Sequence, residues 1–252
     1  MKVIEIYFSP TGGTKKVTDT LSEGLSETVG HVDITVNENA CGVAISREDL
    51  CVIGVPSFGG RVPPVAVERI SKIKGNGAKA VLVCVYGNRA YEDTLVELED
   101  VAKSAGFEIF AAIAAVAEHS IVPAYAAGRP DDADKKTLHA FALNITGKLR
   151  GGNVSVPNIP GKRPYKKGGA GGIVPKADKT CTNCGVCAEN CPVSAIEKGN
   201  PAKTDKKKCI SCMRCVYVCP HKARKISPVM LAAVKVMLKK SCEERKEYQL
   251  YI

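Results

Sequence analysis

Eight cysteines between positions 181 and 219 are the residues best placed to do chemistry. Cys181, Cys184, Cys187 and Cys191 precede Pro192; Cys209, Cys212, Cys215 and Cys219 precede Pro220. Both copies read C-x2-C-x2-C-x3-C-P, offset by 28 residues. Three thiolates so spaced wrap one cubane of iron and sulfide, because the short loop bends around it and turns backbone N–H groups toward the sulfurs. The fourth thiolate of each run then reaches the other cluster. Cys181, Cys184, Cys187 and Cys219 are therefore expected to hold one [4Fe–4S] cluster, and Cys209, Cys212, Cys215 and Cys191 the second. Zinc sites instead pair one CxxC with a distant CxxC or histidine pair. A module this poor in apolar residues is expected to fold only around its clusters.

A second constellation follows the first apolar run. Ser9-Pro10-Thr11-Gly12-Gly13-Thr14 leads into Lys15-Lys16 and a helical pattern. Hydroxyls at alternating positions, with glycines that let backbone amides turn inward, make a phosphate cradle at a helix N-terminus. No GK[ST] follows a glycine five residues back, and GxGxxG is absent, so neither nucleotide fingerprint applies. The loop resembles the [ST]-x-T-G-x-T phosphate loop of flavodoxins, with Ser9, Thr11, Gly12 and Thr14 matching position by position.

These groups need a frame. Val3–Phe8, Val32–Val36, Leu50–Val55, Ala80–Tyr86 and Glu108–Ala117 read as strands, the central ones apolar throughout as in parallel strands covered on both faces. Helical patterns fit 14–28, Pro63–Lys74, Tyr91–Ala105 and Asp131–Leu149. The alternation predicts an α/β fold with a doubly wound, five-stranded parallel sheet over residues 1–150. Ligands bind beyond the carboxyl ends of such strands. Pro56, Ser57, Phe58, Gly59 and Gly60 follow the third strand, and Tyr86, Gly87, Asn88, Arg89 and Tyr91 the fourth. Together with Ser9, Thr11, Gly12, Gly13 and Thr14 they form the expected FMN site. The chain has no Trp, so stacking on a flavin ring falls to Phe58, Tyr86 or Tyr91. His119, at the end of the fifth strand, is within reach of the flavin or a proton-transfer site, but reads first as a loop histidine held by neighbouring backbone.

Residues 151–175 contain eleven Gly or Pro, a density that sustains neither helix nor central strand and predicts a linker, most flexible over Lys166–Gly172. A small α+β ferredoxin-like cluster domain is expected at 176–228 and a helical tail at 229–252. In that tail Met230, Leu231, Val234, Met237 and Leu238 recur at helical spacing, which predicts packing onto the rest of the chain.

Net charge is +10, distributed as −3 over residues 1–150 and +13 over 151–252. Eight thiolates on two clusters and a flavin phosphate would cancel about six of those positive charges, so much of the excess Lys offsets cofactor charge. The basic half has no Phe and four Tyr, too few stacking platforms to favour nucleic acid. The start of the chain lacks signal-peptide anatomy and no apolar run is long enough to span a bilayer, which predicts a cytoplasmic protein without stable membrane insertion. Cysteines in such a reducing setting favour metal ligation over disulfides. Cys51 and Cys84 lie inside apolar strands and read as core.

Taken together, SPTGGTKK, VPSFGGRVPP, VYGNRAYED, AEHSIV followed by AAGRPDD, and the doubled cysteine run resemble the EFR1-family ferredoxins, across essentially the whole chain. The resemblance implies a flavodoxin-like domain fused to a ferredoxin domain, with FMN, two [4Fe–4S] clusters and electron transfer in an anaerobic setting. The expected partner is a redox protein, acidic if it docks on the Lys-rich half. The alternative is an FMN-dependent reductase of a quinone or nitro compound fed by the clusters. One departure stands out: the second run continues as Pro220-His221-Lys222-Ala223-Arg224, more basic than an apolar continuation.

Overall fold

The computed structural model describes residues 1–36, 41–152, 155–168 and 172–252. Val3–Tyr7 (β1), Leu50–Pro56 (β3), Lys79–Tyr86 (β4) and Glu108–Val116 (β5) form the parallel centre of a sheet, with Val29–Asp33 (β2) outside β1. Their order, β2-β1-β3-β4-β5, is that of a flavodoxin-like sheet. Register places Ile6 beside Ile53 and Ile53 beside Leu82. Each apolar side chain thus extends a row across the sheet, and both faces must be covered.

Helices Gly13–Glu23 (α1) and Asp132–Arg150 (α4) cover one face through Val17, Leu21, Leu138, Ala142 and Ile145. Pro64–Ser71 (α2) and Thr94–Ser104 (α3) cover the other through Ala66, Ile70, Leu95 and Leu98. Helix α2 starts on proline, whose missing N–H costs nothing in a first turn. Helix α4 starts on a capping box between Asp131 and Asp134.

Three expectations shift. Strand β2 runs over Val29–Asp33 rather than Val32–Val36. As an edge strand it takes its register from β1, and at Asp33 it turns away, its carboxylate accepting from the Thr35 N–H at 2.8 Å. The sheet has six strands rather than five. Gln249–Tyr251 (β8) pairs antiparallel with β5, so the tail is a helix, Pro228–Cys242 (α7), followed by an edge strand. Three residues are too few to show a strand pattern, but the otherwise bare edge of β5 supplies the pairing groups.

The linker is also not free. Backbone N–H groups of Lys162 and Lys166 donate to the Asp93 carboxylate at 2.9 and 2.7 Å. Arg163 forks onto Asp100 and reaches Glu99, and Tyr165 donates to Asp100. Residues 162–166 thus lie against α3, while the Ser155 carbonyl accepts from Lys148 of α4 at 2.7 Å; 169–171, inside the stretch expected to be most flexible, lie outside the described residues.

Beyond it, Lys176–Ala177 (β6) and Arg224–Lys225 (β7) pair antiparallel and enclose two one-turn helices, Val186–Glu189 (α5) and Arg214–Tyr217 (α6). No helix of the described residues is long and apolar enough to cross a membrane.

Candidate functional site

The cysteine repeat is also a backbone repeat. Positive φ recurs at Asn183 and Ser211, at Gly185 and Met213, and at Ser194 and Lys222; each pair is 28 residues apart. The Ala195 N–H donates to Cys191 Sγ at 3.2 Å and the Ala223 N–H to Cys219 Sγ at 3.3 Å, again equivalent positions. Burial opposes ionisation of Cys219, but backbone N–H groups of Ala223, Arg224 and His221 outweigh it and hold the thiol below its ordinary range. Such donors are what a cluster-bound thiolate requires.

Two hollows sort the thiols. One is lined by Cys181, Cys184, Cys187 and Cys219, the other by Cys191, Cys209, Cys212 and Cys215. This is the crossed grouping, three thiols from one run and the last from the other, and four thiols per hollow fit a cubane. Each set holds one buried thiol, Cys187 in the first and Cys212 in the second, and Cys184 of the first is exposed.

A further cavity, about 280 Å³, lies at the carboxyl ends of β1, β3, β4 and β5. Ser9, Thr11, Gly13 and Thr14 line it from the first loop, Pro56, Ser57, Phe58 and Gly59 from the second, and Tyr86, Gly87 and Arg89 from the third. The Ser9 hydroxyl accepts from the Lys15 N–H at 2.9 Å and fixes the start of α1. Gly12 takes φ 83°, which lets the loop turn into the helix. No acceptor among the described residues takes the first-turn N–H groups of Gly13 and Thr14. Free amides at a helix start suit a phosphate.

Four expected residues lie off the cavity wall. Gly12 sits behind it, under the Tyr217 hydroxyl of the cluster module. Gly60 faces Glu92, whose carboxylate occupies the space a Cβ would need. Asn88 is turned to the tail, its Nδ2 donating to the carbonyls of Cys242 and Glu244 at 2.9 and 2.8 Å. The Tyr91 hydroxyl bonds to Gln249 and Tyr251 of β8, leaving Phe58 and Tyr86 as the aromatic walls. Asn88 and Tyr91 thus anchor the tail, a role visible only once β8 is in place.

Part of the wall comes from outside the three loops. His119 Nδ1 accepts from the N–H groups of Ile121 and Val122, each at 3.2 Å, as a backbone-held histidine should. Yet the ring also lines the cavity, packed on Gly87, where a Cβ would lie 2.6 Å from His119 Cδ2. Burial holds the imidazole below its usual range, and with Nδ1 accepting, the neutral ring carries its proton on Nε2. Val234, Met237 and Leu238 of α7 roof the cavity, and Ile210, Ser211 and Cys212 close its far side.

The cluster module is fastened there. Arg69 of α2 donates to the carbonyl of Pro192 at 2.9 Å as well as to Ile34 and Thr35. Arg214 donates to the carbonyl of Pro10 in the phosphate loop at 3.2 Å. The Ser211 hydroxyl accepts from the Ile173 N–H at 3.1 Å.

Residues 180–223 match the 4Fe–4S dicluster domain family. A "ferredoxin-like protein in nif region" from Sinorhizobium fredii is 45% identical over 47 residues, spanning 16% of this chain and 73% of that protein. Among solved structures, an archaeal flavodoxin aligns with 60% of this chain and 99% of its own at 15% identity and a TM-score of 0.43. A Streptococcus pneumoniae flavodoxin aligns with 59% and 99% at 18% identity and a TM-score of 0.41. The fold rests on the strand order rather than on these distant likenesses.

Proposed function

The chain belongs to the 4Fe–4S dicluster ferredoxins, carried here behind a flavodoxin-like domain, and on that premise we propose that it is an electron-transfer iron–sulfur flavoprotein. Its two thiol sets each hold a [4Fe–4S] cluster, the cavity at the sheet edge holds FMN, and electrons pass between them within one molecule. One observation carries this reading: Cys212, a member of the second thiol set, lines the same cavity as the phosphate loop, Phe58 and Tyr86.

Bound there, FMN takes up one or two electrons and each cluster one. The chain's own residues do the rest. Gly13 and Thr14 N–H groups, with the Thr11 and Thr14 hydroxyls, receive the phosphate. Phe58 and Tyr86 flank the ring site. The His119 Nε2–H is a proton donor in the wall of that site, and the buried Val234 and Leu238 make part of its wall apolar. The roof of α7 and the cluster loop favours a carrier over a reductase of quinones or nitro compounds, which needs an open ring face.

Rapid mixing of the anaerobic protein with a reductant tests the wire. Flavin and clusters should equilibrate at a rate independent of protein concentration; a rate that scales with concentration would overturn the reading. Thr14→Leu should release FMN while leaving cluster absorbance intact.

Helix α7 also favours an external partner. It is apolar nearly all round, yet it buries only Val234, Leu238 and Cys242, and leaves Val229, Val236 and Met237 82, 75 and 71% exposed. Lys235, Lys239 and Lys240 accompany them, and Met237 also reaches the cavity. An acidic redox protein with an apolar centre fits this face, whereas a second copy would bring like charges together. Electron exchange with such a partner should slow as salt rises, and Val236→Glu should abolish it while internal transfer persists. A salt-independent rate would remove this partner class.

A further inference from the structure

The two cysteine runs diverge at one buried position. Ile196 follows the first Cys-Pro at the same interval at which Arg224 follows the second, 28 residues on. Ile196 behaves as the repeat demands and packs with Cys187 and Ala188, against Cys191 and Cys215. Arg224 occupies the equivalent interior place and is 2% exposed.

Its guanidinium has no carboxylate partner among the described residues. Nη1 donates to the Pro175 carbonyl at 3.2 Å and to Thr204 Oγ1 at 2.7 Å, and Nη2 to the Pro201 carbonyl. Nε is buried with no acceptor. A buried cation compensated only by neutral acceptors is costly, and an unmade hydrogen bond adds to that cost. The place of the group suggests what is missing. Arg224 and Pro201 line the hollow of Cys181, Cys184, Cys187 and Cys219, while Pro175 and Thr204 line the hollow of the other four thiols. The guanidinium therefore sits between two sets of four thiols, which become the missing anions once they ligate clusters.

We propose that Arg224 is a built-in counter-charge seated between the two clusters, raising their reduction potentials above those of a module with an apolar side chain there. Each electron added makes a cluster one unit more negative, so a fixed neighbouring cation favours the reduced state. This rests on the reading that clusters fill both hollows.

The test uses the full chain with clusters assembled anaerobically, iron and sulfide measured first, and each cluster followed by electron paramagnetic resonance during a redox titration. Arg224→Ile installs the side chain of the first repeat; Arg224→Lys keeps the charge. Arg224→Ile should retain iron and sulfide and, at the wild-type midpoint, show a reduced-to-oxidised ratio about tenfold lower, equivalent to about 59 mV for one electron. Arg224→Lys should stay near wild type. Unchanged potentials in Arg224→Ile would overturn the proposal. Arg224→Gln keeps a donor without the charge and should repeat the downward shift. If both neutral variants lose iron and only the lysine variant keeps it, the charge is needed for assembly and the role stands. If the lysine variant loses iron too, the role is steric and the proposal falls. Absence of iron and sulfide from wild type would instead refute the cluster reading itself.

Discussion

Leu82 and Cys187 are both buried, in surroundings that differ in kind. Leu82 lies mid-strand in β4, among isoleucines, valines and leucines contributed by four parallel strands and two helices. Cys187 lies in a cluster whose other buried members are Ala188 and Ile196, with Cys191 and Cys215 packed against it. In the flavodoxin-like domain the core is hydrocarbon, and a flavin would be a guest at its edge. In the cluster module the buried apolar residues besides cysteine are few, Ala188, Ala195, Ile196, Met213 and Ala223, and eight thiols line the two hollows, so iron and sulfide would be the core. The first should stand without its cofactor and the second should not, because burial of so few carbons does not offset the chain entropy of some fifty residues.

Metal removal should separate the two most strongly. Chelation, or Cys181→Ser combined with Cys209→Ser, should leave residues 172–225 open to protease while 1–150 stays resistant. Structural metal centres supply on the order of 10 kcal/mol of folding energy, more than this module has from other sources. Equal protection of both regions in metal-free protein would erase the distinction. The converse experiment is Leu82→Ala, which should cost the flavodoxin-like domain about 2–5 kcal/mol in urea unfolding and leave cluster absorbance unchanged.

A subtler test concerns Glu5, fully buried in β1. Burial pushes its carboxyl up to about 8, opposed by the Thr18 hydroxyl, with Asp19 raising it further and Lys15 lowering it. His31 Nδ1 lies 3.1 Å from the same carboxylate. A raised folded-state value means that the native state holds this proton after the unfolded state has released it. Its contribution is therefore complete at low pH and is lost as pH rises from about 4.5 toward about 8. Urea midpoints of wild type should fall relative to Glu5→Gln across that window, and parallel curves would exclude the effect. The smallest change expected is from Arg163→Ala. Its half-exposed pairs with Glu99 and Asp100 should contribute no more than about 1 kcal/mol, and the cleaner readout is faster proteolysis of 155–168.

Much of the molecule was legible in its residues because the determining interactions are local. A cysteine run repeated at an offset of 28 specifies its own loop, and the matching positive-φ residues follow from that loop. Apolar runs such as AVLVCVY announce strands buried on both faces, and SPTGGT announces its turn through glycine and hydroxyls. The rest depends on distant segments meeting. Strand β8 exists because β5 offers an open edge, and Asn88 and Tyr91 serve the tail because that strand arrives beside them. Arg224 looked like a basic departure after Cys-Pro, and only the folded module shows it enclosed between two thiol sets. Nor does spacing in the chain say that Cys212 faces the cavity of Thr14, since nearly two hundred residues separate them. Residue type and short spacing determine which chemistry each segment can perform. Which segments face one another is decided by the burial of edges and apolar faces, which belongs to the whole chain.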